Sequence, residues 1–303
     1  MPKAIALDAL DGAFEDPGSV GSTPKEAEPA KPAKPADQAV SFLETMEFKG
    51  PLLFDIETGP LPDGDLRRFF QFDRQKVKGR ELLDAEFDPS TVKYGNTKDP
   101  TKRAEKLEAA QEAFLSAKTA ACRAMDSAEK EQFDAFRDRA ALDARTCQVL
   151  TVAYMDAATG QKVLDDGDGD ERQLLTSFWE LVAYCRTKNI RIVGFNSNSF
   201  DIPVLARRAM LHRIPLPTFR NGRYLDRIFV DLRDAWGCGE WQPKGDLDSL
   251  STFFGGPPKN GEGADFHRLW NGSDEEHNHA VEYALNDLDM TLAVAIGLQV
   301  TAS

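Results

Sequence analysis

Two acidic residues stand two positions apart in the stretch FDIETGP, residues 54–60, at the end of an otherwise apolar run. Successive side chains of a β-strand point to opposite faces, so Asp55 and Glu57 share one face at a Cα separation of roughly 6.5–7 Å. Two like charges held together in a partly buried place either raise a pKa or bind a cation. A single pair of acids at a strand end is more often simply solvated, so this pattern needs support from elsewhere in the chain.

Further acidic residues occur in two later segments. In GFNSNSFDIP, residues 194–203, a strand gives way to a polar loop and Asp201 opens a helix, which is also how an ordinary helix N-cap looks. In EYALNDLDMT, residues 282–291, Tyr283 and Asp287 are four residues apart and share a helix face. A core tyrosine beside a surface acid would give the same pattern, so each segment alone is weak evidence for a site.

The surrounding pattern predicts the elements that would position these residues. Amphipathic spacing predicts helices over residues 170–188, 200–213 and about 274–299. Five apolar runs predict strands, the second and third joined as a hairpin: PLLFDIE, CQVLTVAYMD, QKVLD, RIVGF and RIFVDL. Their order predicts an α/β fold, a mixed sheet of about five strands flanked by helices.

Two regions lie outside this pattern. Residues 1–48 are rich in Pro, Ala and Lys with little to bury, so we expect a disordered tail before a folded domain at 49–303. Residues 61–145 separate the first two strands and are expected to form a mostly helical insertion in that domain. Asp126 with Glu129 three residues later resembles a capping box, which predicts two helices forming a hairpin rather than one rod.

The composition argues against several classes of protein. The 303 residues, 41% of them hydrophobic, can bury a sizeable core. No apolar run approaches the roughly 18 residues of a membrane span and no signal-peptide pattern opens the sequence, so we expect a cytoplasmic protein that does not contact membranes. The four cysteines form no C-x-x-C pair, which disfavours a zinc knuckle or a disulfide framework.

The distribution of charge is uneven along the chain. The net charge of -13 argues against a nucleic-acid coat protein. Residues 186–233, however, carry ten Arg or Lys against three acidic residues, a local balance of +7. This basic segment keeps a nucleic-acid enzyme open, although solvated surface arginines would explain it as well.

Together the three acidic segments resemble the motifs of the DEDD superfamily of 3'-5' exonucleases, which have the RNase H-like fold. Members carry D-x-E on the first strand, an N-x-x-x-F-D-x-P-like segment at a later helix start, and Y-x-x-x-D in the last helix. This chain has all three in order, with the acidic and tyrosine positions at Asp55, Glu57, Asp201, Tyr283 and Asp287. The resemblance covers residues 50–60 and about 146–298.

The subtype of the resemblance rests on one position. The sister branch uses a histidine five residues before the last aspartate, where this chain has Glu282, so Tyr283 indicates the tyrosine branch. The form of FDIETGP and the loop GGPPKNGEGADF, residues 255–266, look most like the stand-alone proofreading-like exonucleases of bacteria and phages, which are related to family B polymerases.

The resemblance implies an enzyme that releases nucleoside monophosphates from the 3' end of DNA, with single-stranded DNA favoured, by two-metal-ion hydrolysis with Mg²⁺ or Mn²⁺. It implies that Asp55 bridges both metals, that Glu57 and Asp287 complete the site of the nucleophile-side metal, and that Asp201 contributes through a water shell. Tyr283 would orient the attacking water through its hydroxyl.

Four further residues are candidate substrate contacts, each with a structural alternative. Thr58 could offer its hydroxyl to the terminal nucleotide or only shape the turn. Asn196 could contact substrate or serve as a turn residue. Phe200 could stack on a base or pack in the core. Lys259 could meet a phosphate, or it could be a solvated loop lysine.

Other functions stay open at this point. An RNA exonuclease like RNase D shares the motifs, although the accessory domain expected of RNase D is missing, which favours DNA. A non-catalytic RNase H-like binding module is a different class, and the complete set of acids argues against it. Proofreading would require a polymerase partner. The insertion could clamp the substrate strand, contact a replication or repair protein, or have no role in the activity.

Overall fold

The structure is a computed structural model that describes residues 48–217, 228–240 and 242–301. The predicted tail therefore lies outside the described residues except for Phe48, and part of the basic segment lies outside them as well. In the described part the strands are β1 (Leu52–Pro60), β2 (Cys147–Asp156), β3 (Lys162–Asp165), β4 (Ile192–Gly194) and β5 (Phe229–Asp231).

These strands form one mixed sheet in the order β3-β2-β1-β4-β5. β1 lies at the centre, antiparallel to β2 on one side and parallel to β4 on the other. β2 and β3 form the predicted hairpin, and β5 extends the parallel half beside β4. The α/β fold and the five-stranded mixed sheet are thus confirmed.

Helices cover both faces of the sheet. In chain order they are α1 (Asp63–Leu66), α2 (Glu81–Asp84), α3 (Pro100–Ala140), α4 (Glu171–Lys188), α5 (Asp201–Leu211), α6 (Leu232–Gly237), α7 (Leu247–Phe253), α8 (Gly263–Trp270) and α9 (Asp274–Gly297). Single 3-10 turns lie at Arg74–Lys76, Pro89–Thr91 and Gly167–Gly169. Every helix in the described ranges is too short or too polar to span a bilayer.

The alternation of β1 divides the core into two layers. Leu52, Phe54 and Ile56 face the layer that contains the apolar sides of α4 and α5. Leu53 faces the opposite layer, against the buried side of α9. Because side chains alternate along a strand, Asp55 and Glu57 point the same way as Leu53, toward α9. The central strand therefore carries its acids on the side where the last helix packs.

The predicted helical hairpin in the insertion is wrong. α3 is a single helix of 41 residues that runs through Asp126 and Glu129 without a break. Residues 101–140 contain neither Gly nor Pro, and an interior Asp costs only about 0.7 kcal/mol relative to Ala. The buried residues Ala121, Met125, Phe133 and Ala140 continue one stripe across the supposed cap, so packing favours the uninterrupted helix.

The end of the insertion is fastened to the centre of the sheet. The hydroxyl of Thr58 donates to the Ala141 carbonyl at 2.8 Å, and the Leu61 amide donates to the Thr146 carbonyl at 2.9 Å. Phe133 of α3 packs with Leu66 in a small separate cluster. These contacts bring the C-terminal end of α3 next to the end of β1.

A buried ionic cluster joins α4 to α5 on the other side of the sheet. Glu171, in the first turn of α4, accepts hydrogen bonds from Arg208, from His212 and from the Val149 amide. Burial alone would raise the pKa of Glu171, but the hydrogen bonds from Arg208, Val149 and His212 outweigh it and the pKa is lowered. Arg208 is only 3% exposed, so its charge depends on this partner.

Candidate metal centre

Three carboxylates converge where β1 meets α9. One oxygen each from Asp55, Glu57 and Asp287 lies within 4.8 Å of the other two. Glu57 and Asp287 are 9% and 8% exposed, and Asp55 is partly buried. Asp287 Oδ1 is buried without a hydrogen-bond partner among the described residues. A buried, unpaired carboxylate oxygen that faces two further acids has the chemistry of an oxygen-ligand site for a divalent cation.

The electrostatics of the three acids agree with such a site. Burial, and then the charges of Asp201 and Asp287, raise the pKa of Asp55 well above its usual value. Burial, and then the charge of Asp55, do the same for the pKa of Glu57. Burial raises the pKa of Asp287 to about 6. The ionised cluster is therefore unfavourable by itself and is stabilised by a positive charge placed between its members.

Asp201 lies next to this cluster, although it is outside the group of three. It opens α5 and is 4% exposed. Burial raises its pKa to about 7, although the backbone N–H groups of Asp201 and Ile56 hydrogen-bond its carboxylate. The charge of Asp201 raises the pKa of Asp55, so the two carboxylates act on each other's environment.

Tyr283 stands one helical turn before Asp287 and faces the same cluster. Burial, and then the charges of Asp287, Glu57 and Asp55, raise the pKa of its hydroxyl far above the usual value. The residue is 6% exposed and lies beneath the loop that precedes α8. A Cβ on Gly261 would stand 2.7 Å from Tyr283 Cδ2, so the loop approaches the ring this closely only because residue 261 has no side chain.

Lys259 belongs to the same loop and brings a positive charge to the centre. Its Nζ lies 6.0 Å from the centroid of the Tyr283 ring and 3.5 Å from a Glu262 oxygen. Its charge opposes the rise in the pKa of Glu57 and of Asp287. The lysine predicted from the sequence as a phosphate contact is therefore close enough to the carboxylates to act on them electrostatically.

Thr58 and Phe200 line a cleft of about 1000 Å³ that also includes Glu57. The Thr58 hydroxyl proton is engaged with Ala141, so its donor serves the fold. Phe200 packs partly against the core and also reaches the cleft. Between Glu57 and Thr58 the pairing with β2 shifts by one residue, a bulge that re-aims the end of β1.

Asn196 has mainly a structural environment. Its backbone φ is 57°, in the left-handed region that Asn tolerates, and its amide donates to Asp231 at 2.9 Å. Its side-chain oxygen accepts from Arg233 at 3.1 Å. Asn196 lines a second cleft, together with Ser199 and Arg233, and not the one that contains Glu57.

Sequence reasoning missed several residues around the centre. Arg137, His267 and Arg268 line the cleft beside Glu57. Burial, and then the charge of Arg137, lower the pKa of His267. Asp231 holds the loop before Asp201 by accepting amides from Asn196 and Asn198. The only sequence signal for Asp231 was its position at the end of a predicted strand, and Arg137 lay unmarked within the long helix.

Comparison with known proteins gives a family match, a sequence relative and a structural neighbour. Residues 140–301, more than half of the chain, match the family described as a predicted 3'-5' exonuclease related to the exonuclease domain of PolB. The DNA polymerase of Archaeoglobus fulgidus is 32% identical over 133 residues, 39% of this chain and 17% of that protein. The family B DNA polymerase of Pyrobaculum calidifontis is a structural neighbour with a TM-score of 0.45 and 23% identity, covering 54% of this chain and 23% of the polymerase.

The matched regions thus span less than a quarter of either polymerase. The family match contains Asp201, Tyr283 and Asp287, while β1 with Asp55 and Glu57 precedes it. The two halves of the carboxylate cluster come from parts of the chain that the insertion separates.

Proposed function

Since the chain belongs to the family of predicted 3'-5' exonucleases related to the exonuclease domain of PolB, we propose that it releases nucleoside monophosphates from the 3' end of single-stranded DNA. We assign it to the tyrosine branch of the DEDD superfamily, beside the stand-alone proofreading-like enzymes of bacteria and phages. The observation that carries the proposal is the convergence of Asp55, Glu57 and Asp287 within 4.8 Å in a buried place.

In this proposal Asp55, Glu57 and Asp287 hold two Mg²⁺ or Mn²⁺ ions, and Asp201 supports them through water. Such ions, when bound, activate the attacking water and stabilise the leaving 3'-oxygen. The Tyr283 hydroxyl, which its raised pKa keeps protonated and which donates to Asp287, positions that water through its oxygen. Lys259 approaches the phosphate from the loop side, where its charge already acts on Glu57.

The substrate contacts are part of the same proposal. Phe200 supplies an aromatic face in the cleft beside Glu57, where a terminal base can stack. Thr58 offers its oxygen and its backbone, while Asn196 shapes the loop before Asp201. A replication or repair protein that binds the insertion remains proposed too, since residues 100–120 of α3 are mostly exposed.

The test uses 3'-labelled and 5'-labelled single strands of DNA and of RNA, incubated with Mg²⁺, with Mn²⁺ or with EDTA. We expect mononucleotide release from the 3' end of DNA that chelation abolishes. Asp55→Asn should lower the rate by about 10³-fold, because it removes a carboxylate from a site that stabilises transition-state charge by several kcal/mol.

Glu282→Gln is the matched control, because Glu282 is an exposed carboxylate next to Tyr283 on the same helix. It should keep the rate of the unmodified chain. Release from RNA alone would favour the RNase D-like alternative. Tight strand binding without any hydrolysis would favour a non-catalytic module and contradict the proposal.

A further inference from the structure

A second cleft, of about 870 Å³, lies beside the carboxylates at the same edge of the sheet. Its lining includes Asn196 and Ser199 from the loop after β4, Arg233 from the start of α6, and Lys244. β1, β4 and β5 are parallel, so their carboxyl ends share one edge, which is where open α/β sheets bind ligands. The distance from β1 to β5 across the sheet is two strand spacings, roughly 10 Å.

The cleft is connected to the metal centre through two buried acids. The loop that lines it ends at Asp201, and the charge of Asp231 acts on Asp201. Asp231 also accepts the backbone amides of Asn196 and Arg233, both at 2.9 Å. One carboxylate thus fixes the loop and the start of α6 relative to each other, close to Asp201.

Within the described ranges, the side chains of Arg233 and Lys244 in this cleft form no ion pair with an acid. The Arg233 guanidinium donates to two neutral oxygens of the described residues, Asn196 Oδ1 at 3.1 Å and the Pro243 carbonyl at 3.5 Å. Its Nε is buried without a hydrogen-bond partner in the described ranges. Lys244 is exposed, and its ammonium group has no ion pair with a described residue.

The acids that line the same cleft are engaged within the fold. Asp234 accepts from the Asn198 side chain at 2.8 Å. Asp246 caps α7, accepting the Ser249 amide at 2.8 Å. The acids accept hydrogen bonds within the fold, while the Lys244 ammonium and the terminal N–H groups of Arg233 that Asn196 and Pro243 leave unused can still donate to a phosphate.

We propose that Arg233 and Lys244 bind a backbone phosphate of the substrate strand, on the 5' side of the bond that is cleaved. The inference rests on the proposed function, because the strand enters this cleft when its 3' end lies at Asp55, Glu57 and Asp287. A phosphate contact fixes the register of the strand without reading its sequence. The enzyme would then require several nucleotides for tight binding and would not distinguish among bases.

The test is the salt dependence of binding to a fluorescent thymidine oligonucleotide of about ten nucleotides, with Ca²⁺ in place of Mg²⁺ to limit hydrolysis. Each phosphate neutralised on a single strand contributes about 0.7 to the slope of log K against log salt. We expect Arg233→Ala to lower that slope by about 0.7 and to weaken binding about tenfold. Lys244→Ala, at an exposed position that does not endanger folding, should lower the slope similarly.

Arg172→Ala is the control, since Arg172 is an exposed arginine at the start of α4, on the other face of the sheet. It should leave slope and affinity as they are. Unchanged slopes in both cleft variants overturn the inference, because a merely structural role for these residues would not alter the number of phosphates neutralised.

Two further measurements separate the possible failures. If the unmodified chain hydrolyses neither the oligonucleotide nor a p-nitrophenyl ester of thymidine monophosphate, the proposed function fails. If it hydrolyses both and the variants bind the long strand normally, only the inference fails. Free thymidine monophosphate can also be added as a competitor of the oligonucleotide. If it competes with the unmodified chain but not with Arg233→Ala, and the affinity for the strand is unchanged, the cleft binds the released nucleotide. That result also overturns the inference.

Discussion

At the residue scale, the carboxylate cluster is unfavourable for folding and informative for that reason. Beyond the effect of burial, the charge of Asp287 raises the pKa of Asp55 and of Glu57, and the charge of Asp55 raises that of Glu57. Neutral side chains of similar size would pack in the same place without repulsion. Acids with strongly raised pKa values in a cleft are typical of functional sites, because a bound ligand supplies the positive charge that the surrounding residues do not.

Tyr283→Phe tests the role of a single hydroxyl. We expect kcat to fall about 10- to 100-fold, the range of losing one positioning or proton-transfer group, with the fold retained. Because the Tyr283 pKa is raised far above its usual value, the hydroxyl stays protonated throughout the working range. The pH–rate profile of the unmodified chain should therefore show no limb near pH 10 that disappears in the variant. Such a limb would mean that the tyrosine acts as a base.

Residue types near the site were predictable only where local geometry decided them. The alternation of a strand put Asp55 and Glu57 on one face, and a helical turn put Tyr283 beside Asp287. The hydrogen bond from the Thr58 hydroxyl to the Ala141 carbonyl was not predictable, because Ala141 is 83 positions away in the sequence. Arg233 was counted in the basic segment. Its hydrogen bonds to the neutral oxygens of Asn196 and Pro243 depend on tertiary contacts and could not be predicted.

At the element scale, α4 and α5 are joined by a charge cluster that cannot be split without cost. Arg208→Ala leaves Glu171 buried beside His212 with its main partner gone. Removing one partner of a buried ion pair costs about 3–5 kcal/mol. Urea denaturation should show a loss of that size in the free energy of unfolding.

Arg207→Ala provides the neighbouring control, since Arg207 is exposed on the same helix. Its effect should stay within about 0.5 kcal/mol. Equal effects of the two substitutions would contradict the assignment of Arg208 as a buried partner of Glu171.

The elements themselves were mostly predictable, and the exception has a physical cause. Strands and amphipathic helices follow from periodicity, which the sheet and both core layers preserve. The continuity of α3 depended on whether Asp126 stops a helix, and a capping pattern in the sequence does not say whether the cap is used. The buried stripe from Ala121 to Ala140 decided against it.

At the scale of the whole molecule, the carboxylates couple stability to pH and to divalent ions. Burial raises the pKa of Asp287 to about 6 and that of Asp201 to about 7. Between about pH 4 and pH 7 these two carboxyls of the folded chain therefore bind more protons than the same two carboxyls of the unfolded chain. The stability of the chain in EDTA must then fall as pH rises through that range.

Melting temperatures in EDTA and in Mg²⁺ measure this coupling. We expect the melting temperature in EDTA to drop on the order of 5–10 °C from pH 5 to pH 8. Mg²⁺ should raise it more at pH 8, where the acids are ionised, than at pH 5. Asp55→Asn should reduce both effects. A melting temperature that Mg²⁺ raises equally at both pH values would contradict the coupling.

The central position of β1 also bears on how the chain folds. Pro60 pairs with Cys147 and Leu52 with Asp156, separations of 87 and 104 residues. During synthesis β1 is made before β2 and β4, because α3, a helix about 60 Å long, lies between β1 and β2 in the sequence. β1 therefore has no partner strand until α3 has been made. Closing so long a loop is entropically costly and slow. Formation of the sheet, and with it the convergence of the acids, is therefore a late and non-local event in folding.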